Sequence, residues 1–266
     1  MQPDFPAGSV WLAGAGPGDP ELLTRKAERL IATADVVFHD ALVGSGVLDL
    51  IPPGTQRVSV GKRSGRHSKD QATIDTLIVA AALAGQRVLR LKGGDPSIFG
   101  RSTEEIDACR AAGVPVRVCP GITAASAAAA SGATSLTLRG LARRLTFVTA
   151  HARGDEPLDL DWPGLAAADT TLAVYMGRAA AGPAAANLIA AGMAPDTPVM
   201  VAVNVSLPTE RLIRGRLDAL AFLVAAIGER DPALLLIGEA VGQRPSIGAP
   251  ERRRDVRSAA YRTHAC

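Results

Sequence analysis

Cysteine is scarce in this chain, and its three residues, Cys109, Cys119 and Cys266, are odd in number and far apart. That pattern argues against a disulfide framework and contains no CxxC spacing for a metal, so structural thiols are expected. The four histidines are scattered with no HExxH or comparable pair, and no bound metal is expected. No apolar run approaches the roughly 18 residues needed to cross a bilayer, so no membrane partner is expected. The amino end, MQPDFPAG, has neither a basic n-region nor an apolar h-region, which points away from secretion and towards the cytoplasm. No tandem repeat is visible.

A charge excess is also missing from the body of the chain. Of the net charge of +3, the last sixteen residues, ERRRDVRSAAYRTHAC, supply all: they hold five Arg against Glu251 and Asp255, which leaves residues 1–250 balanced at 24 basic and 24 acidic side chains. A nucleic-acid partner is therefore not expected, and residues 244–266 read as a mobile basic tail.

What is present is enough apolar sequence, 47% of 266 residues, for one large or two medium domains. In the first half, VWLAGAG, DVVFHD, RVSVG, RVLRLK and VRVC alternate with helical patterns, which predicts a mainly parallel sheet covered by helices. One helix is expected from Pro20, with Asp19 as N-cap, Leu23, Ala27, Leu30 and Ile31 on its buried face, and Arg25, Lys26 and Glu28 facing water. Another is expected to open with Ser102 and Glu105 at capping-box spacing and to stop at Gly113. An alanine-rich segment, ITAASAAAASGATS, separates a second series in which PVMVAVN and ERLIRGRL, joined by SLPT, form an antiparallel pair. The chain thus reads as two α/β domains, residues 1–133 and 134–243, the second with a mixed sheet and with a cleft between the two.

RLKGGDPSIFGR, residues 90–101, holds the strongest sign of a site. RVLRL reads as a buried strand that GGDP stops at a carboxylate, an arrangement suited to a ligand at the carboxyl end of a strand. Two glycines allow close approach to the backbone, Asp95 offers an acceptor, and Pro96 stiffens the exit. By itself the loop suits a nucleotide, a sugar or a metal. GAGPGD at Gly14–Asp19, followed by Asp40, also mimics a dinucleotide fingerprint. Against hydride transfer stand Asp19, a charge where a pyrophosphate would rest, and Pro17 and Pro20, which each remove a backbone N–H. A purely structural tight turn is the other reading of that cluster.

GAGPGDPELLT, ADVVFHDALV, VGKRSGRHS, RLKGGDPSIFGR and PGITAASAAAA occur in this order, and together they make the chain resemble the tetrapyrrole methylases over roughly residues 9–241. VGKRSGRHS joined to RLKGGDPSIFGR is the sharpest part, and points to the branch that methylates uroporphyrinogen III at C2 and C7 to give precorrin-2, via precorrin-1, for cobalamin or sirohaem. The resemblance implies a homodimer that binds S-adenosyl-L-methionine in the interdomain cleft, releases S-adenosyl-L-homocysteine, and takes a tetrapyrrole as substrate. It assigns cofactor contacts to Pro17, Gly93, Gly94, Asp95, Ile98, Thr123, Ala124, Met176, Val205 and Ala233. It assigns proton handling to Asp40 as acceptor and Lys62 as donor, with orientation of a neighbour and pairing with a substrate carboxylate as their plainer roles. From the basic cluster that includes Arg66, His67 and Lys69, the residues taken as substrate contacts are Arg63, Arg101 and Arg139, since Arg grips carboxylates bidentately. The chain departs from the family at Ala41, Leu138 and Gly140, and at Ser102 and Thr103, all on the substrate side. A later precorrin methyltransferase and a non-catalytic tetrapyrrole-binding protein are the alternatives; the VGKR block argues against the first, and Asp40, Lys62 and GGDP against the second.

Overall fold

The structure is a computed structural model that describes residues 4–61, 70–150, 159–228 and 231–242. In its first half, strands β1 (Val10–Gly14), β2 (Val36–His39), β3 (Gln56–Ser59), β4 (Val88–Lys92) and β5 (Val116–Cys119) form one sheet in the order β3-β2-β4-β1-β5. Every pairing in it is parallel. Helices α1 (Arg25–Thr33) and α2 (Ser45–Leu48) cover one face, where Ala27, Leu30, Ile31 and Val47 pack on Trp11, Leu89 and Leu91. Helices α3 (Gln71–Leu83) and α4 (Ser102–Ala111) cover the other, where Ile74, Ile78 and Cys109 meet Leu12, Phe38 and Val88. This is the helix-clad parallel sheet that the alternation of apolar runs predicts.

The second half pairs β6 (Arg144–Thr149), β7 (Thr170–Tyr175), β8 (Pro198–Val203), β9 (Arg211–Arg216) and β10 (Ala233–Ile237) in the order β6-β7-β10-β8-β9. Only β6 and β7 run parallel, so the sheet is mixed, and β8 and β9 form the expected antiparallel pair. Helices α6 (Trp162–Leu165), α7 (Ala181–Ala190) and α8 (Leu220–Ala225) lie on one face. Helices α5 (Ala124–Ser131) and α9 (Glu239–Gly242) lie on the other, with the small side chains of Ala125, Ala127 and Ala128 against Met200, Leu234 and Leu236. The alanines of α5 let its axis approach the second sheet closely, and each buried methyl contributes to that layer.

Two local expectations change, and that for Lys26 gains detail. The helix expected from Pro20 is broken: Asp19 caps a single 3₁₀ turn, Pro20–Leu22, and Leu23 and Thr24 are extended. A second N-cap then starts α1, the Thr24 hydroxyl accepting from the Ala27 N–H at 3.0 Å. Thr24 competes for the same backbone donors that a continuous helix would use internally, and wins them. Lys26 stays at the solvent surface, its side chain 36% accessible, and there its ammonium lies 4.1 Å from the Trp11 ring centroid and 3.2 Å from Asp4. The capping box at α4 is absent, because Ser102 donates to the Pro96 carbonyl and Glu105 turns inward to cations on β4.

Among the described residues, no helix is long and apolar enough to cross a membrane.

Candidate active site

The loops after β1 and β4 leave their adjacent strands towards opposite helical layers, α1 to one and α4 to the other, which opens a crevice at the strands' carboxyl ends. Glycine sets how tightly those loops meet. Gly16 and Gly94 exchange backbone hydrogen bonds at 3.2 and 2.7 Å. A Cβ on Gly14 would come within 2.6 Å of the Gly94 carbonyl oxygen and of the Gly121 Cα, so three loops touch backbone to backbone. No side chain fits there.

The second domain closes over this edge. The Asp19 N–H donates to the Ser206 hydroxyl at 3.0 Å, and the rings of Phe99 and Tyr175 pack at 5.1 Å across the junction. The Tyr175 hydroxyl hydrogen-bonds the Thr123 side chain and accepts from the Ala125 N–H at 3.3 Å. Burial pushes the Tyr175 phenol pKa up. Between the domains lies a mostly apolar cavity of about 1140 Å³, large enough for a nucleoside-sized ligand together with part of a second molecule.

All ten residues expected to contact a cofactor line that cavity. Pro17, Gly93, Gly94, Asp95 and Ile98 reach it from the β1 and β4 loops, Thr123 and Ala124 from the start of α5. Met176, Val205 and Ala233 form the facing wall. Asp40 also lines it, at the end of β2. Lys62 and Arg63 lie outside the described residues, as do Arg66, His67, Lys69 and the tail. Arg101 and Arg139 are not in the cavity wall: Arg101 forks onto Glu104 at 2.7 and 2.8 Å on the surface, and Arg139 sits in an exposed turn.

Asp95 is already committed to the loops. One carboxylate oxygen accepts from the Ser97 N–H at 2.7 Å and the other from the Gly121 N–H at 2.9 Å, so it ties the GGDP loop to the PGIT loop. Each oxygen keeps a lone pair for a further donor. The backbone around the cavity is strained as well: Phe99, Met176 and Asn204 in its wall, with Arg101 and Ser206 beside it, all hold positive φ of 50° to 63°. Each such residue costs roughly 1–3 kcal/mol, and strain of this kind clusters at ligand sites.

The polar floor was not legible as a site. Arg90 and Lys92, two residues apart on one face of β4, are 2% and 3% exposed. Glu105 of α4, 0% exposed, accepts from Arg90 Nε at 2.7 Å and from Lys92 Nζ at 2.8 Å. Arg90 Nη2 then reaches Asp40 Oδ1 at 2.5 Å. Burial opposes the Arg90 charge, but Asp40 and Glu105 outweigh it and hold the guanidinium charged. For Lys92, burial and the adjacent Arg90 win, and its pKa falls below the usual lysine range. The signal was in the sequence: two cations at i and i+2 of a strand read as buried require buried anions.

Among the described residues, the GAGPGD turn beside the cavity does not form a pyrophosphate cradle. Asp19 accepts from the Glu21 N–H at 2.9 Å, so the turn caps itself with a carboxylate. Residues 9–221 match the family of Tetrapyrrole (Corrin/Porphyrin) Methylases. The chain belongs to the tetrapyrrole methylases.

This methylase is 46% identical over 244 residues to the uroporphyrinogen-III C-methyltransferase of Paracoccus denitrificans, covering 92% of this chain and 85% of that one. It is 46% identical over 237 residues to the siroheme synthase of Gluconacetobacter diazotrophicus, covering 89% of this chain and 50% of that protein. The chain therefore spans about half the length of the siroheme synthases it matches. Its fold superposes on the Thermus thermophilus uroporphyrin-III C-methyl transferase complexed with S-adenyl homocysteine with a TM-score of 0.74, at 40% identity over 88% of this chain and 93% of that one. The glycine and alanine wall, with Ile98 and Met176 as apolar covers, fits an adenosyl group.

Proposed function

We propose that this methylase transfers two methyl groups from S-adenosyl-L-methionine to uroporphyrinogen III, at C2 and C7, giving precorrin-2 by way of precorrin-1. The observation that carries the reading is the convergence of all ten expected cofactor contacts and Asp40 on one interdomain cavity. The relatives named for that reaction support it.

When bound, S-adenosyl-L-methionine supplies an electrophilic methyl on a sulfonium. The chain's task is to hold an electron-rich pyrrole carbon in line with it: the pyrrole electron pair forms the new C–C bond, and the C–S pair stays on sulfur. Rigid loops locked by Asp95 and the contacts among Gly14, Gly94 and Gly121 keep one partner in register, which is the larger source of rate. The methylated macrocycle then loses a proton, and Asp40 is the acceptor in reach of the cavity, with Lys62 as donor. Acid-base help of this kind contributes typically 10²- to 10⁴-fold. In this reading Arg63 grips a substrate carboxylate, while Arg101 and Arg139 do so from outside the cavity wall, Arg101 by exchanging Glu104 for the substrate, and the reading carries with it a homodimer in the cytoplasm.

Anaerobic incubation of the purified chain with S-adenosyl-L-methionine and uroporphyrinogen III, followed by mass spectrometry of the product, tests the proposal. Two added methyl groups are expected. Cofactor binding without transfer would make the chain a tetrapyrrole carrier, and transfer only to an already methylated precorrin would assign it a later step.

A further inference from the structure

Arg90 lies in the middle of β4 with every nitrogen of its guanidinium engaged: Nε to Glu105, Nη1 to the Leu91 carbonyl at 3.1 Å, Nη2 to Asp40. A charge placed there is not explained by stability, because replacing a buried ion pair with packed apolar side chains is commonly neutral or stabilising. Its effect is geometric. The guanidinium is a rigid planar fork. With Nε fixed by a fully buried carboxylate that Lys92 grips from the other side, Nη2 has one direction left, and Asp40 stands in it. Asp40 is the exposed member of the group, its side chain 30% accessible. Its Oδ1 is taken, while Oδ2 has no partner among the described residues and the side chain borders the cavity.

We infer that Arg90, clamped by Glu105, is a positioning residue that fixes the carboxylate of Asp40 in one orientation at the floor of the cleft. The inference rests on the proposed role of Asp40 as proton acceptor. Glu105 anchors the clamp, and Lys92 balances its charge so that the four side chains sum to zero behind the reacting groups.

Arg90→Lys tests this, since an ammonium keeps the buried charge but cannot span Glu105 and Asp40 as a fork does. The expected result is a fall in kcat of about tenfold or more, with KM for S-adenosyl-L-methionine and the calorimetric affinity for S-adenosyl-L-homocysteine within about twofold of wild type. In an Asp40→Asn background, Arg90→Lys should cost less than about a further twofold, because the group it positions is gone. Glu105→Gln, which weakens the clamp and keeps its shape, should show the same non-additivity. Multiplicative losses in the double variants, wild-type turnover by Arg90→Lys, or loss of homocysteine-nucleoside binding would each overturn the inference while wild-type transfer stands. Absence of methyl transfer by the wild-type chain would overturn the functional reading and this inference with it.

Discussion

The central strands of the two sheets, β4 and β10, hold equivalent places, third of five, yet β4 carries Arg90 and Lys92 through its buried interior while β10 reads Ala-Leu-Leu-Leu-Ile. In the second domain the central strand is spent wholly on packing, with Leu234 to Ile237 at 3% exposure or less. In the first domain one face of the same position holds leucines and the other holds a charged group tied to α4 and to the end of β2. The difference follows the cleft: the charged strand leads into the GGDP loop, where polarity is needed, while the apolar strand supports a wall made of small and hydrophobic side chains. A charged core is stable only as a complete set, whereas an apolar core loses one side chain at a time.

That contrast can be broken at its two centres. Glu105→Ala should be the most damaging single change, about 3–5 kcal/mol, because it leaves Arg90 and Lys92 buried with one carboxylate between them. Leu235→Ala, at the matching place in β10, should cost about 2–5 kcal/mol by cavity formation alone. Urea midpoints followed by circular dichroism check both. The joint replacement of Arg90, Lys92 and Glu105 by Met, Leu and Leu sharpens the comparison, since it should restore stability while methyl transfer stays lowered by about tenfold or more. Asp95→Ala comes next: it frees the Ser97 and Gly121 N–H groups and should weaken S-adenosyl-L-homocysteine binding by about 1–3 kcal/mol in calorimetry. Unchanged affinity would remove Asp95 from the cofactor wall.

The smallest effect belongs to an ion pair away from the cleft. The Arg87 side chain and N–H bond to Asp35 and hold its carboxyl below the usual aspartate range. The folded pKa lies below the unfolded one, so this contribution is present above the unfolded value, near 3.8, and is lost as pH falls through the folded pKa. Both side chains are more than a third exposed, and solvent screening limits the contribution to under about 1 kcal/mol. Asp35→Asn should therefore lower the thermal midpoint slightly at pH 7 and hardly at all at pH 2.

Much of this was readable before any coordinates. The apolar runs alternate with helical patterns because a parallel sheet needs a crossover between its strands, and that spacing survives in the sequence. The GGDP loop was readable as a ligand site from glycines at a strand end, since close backbone approach permits little else, whereas the expected cofactor contacts came from the resemblance to the family. The misreadings share one cause. Ser102 and Glu105 have capping-box spacing, and local physics permits that box; Thr24 and Asp19 could each have capped one helix. Which partner a side chain finds depends on what the fold brings near it, and β4 offered Glu105 two cations closer to its needs than a backbone N–H.

The sequence by itself determined the strands and the parallel and mixed characters of the two sheets, because these follow from periodicity and turn residues, and its motif order carried the family resemblance from which an interdomain site was expected. Only the tertiary structure decided how the charges are used: that Asp95 laces two loops together, that Arg101 turns to Glu104, and that Asp40 stands at the end of a buried clamp. Hydrogen bonds and ion pairs between residues far apart in the chain depend on distances of a few tenths of an ångström, and only the packed sheets and helices set those distances.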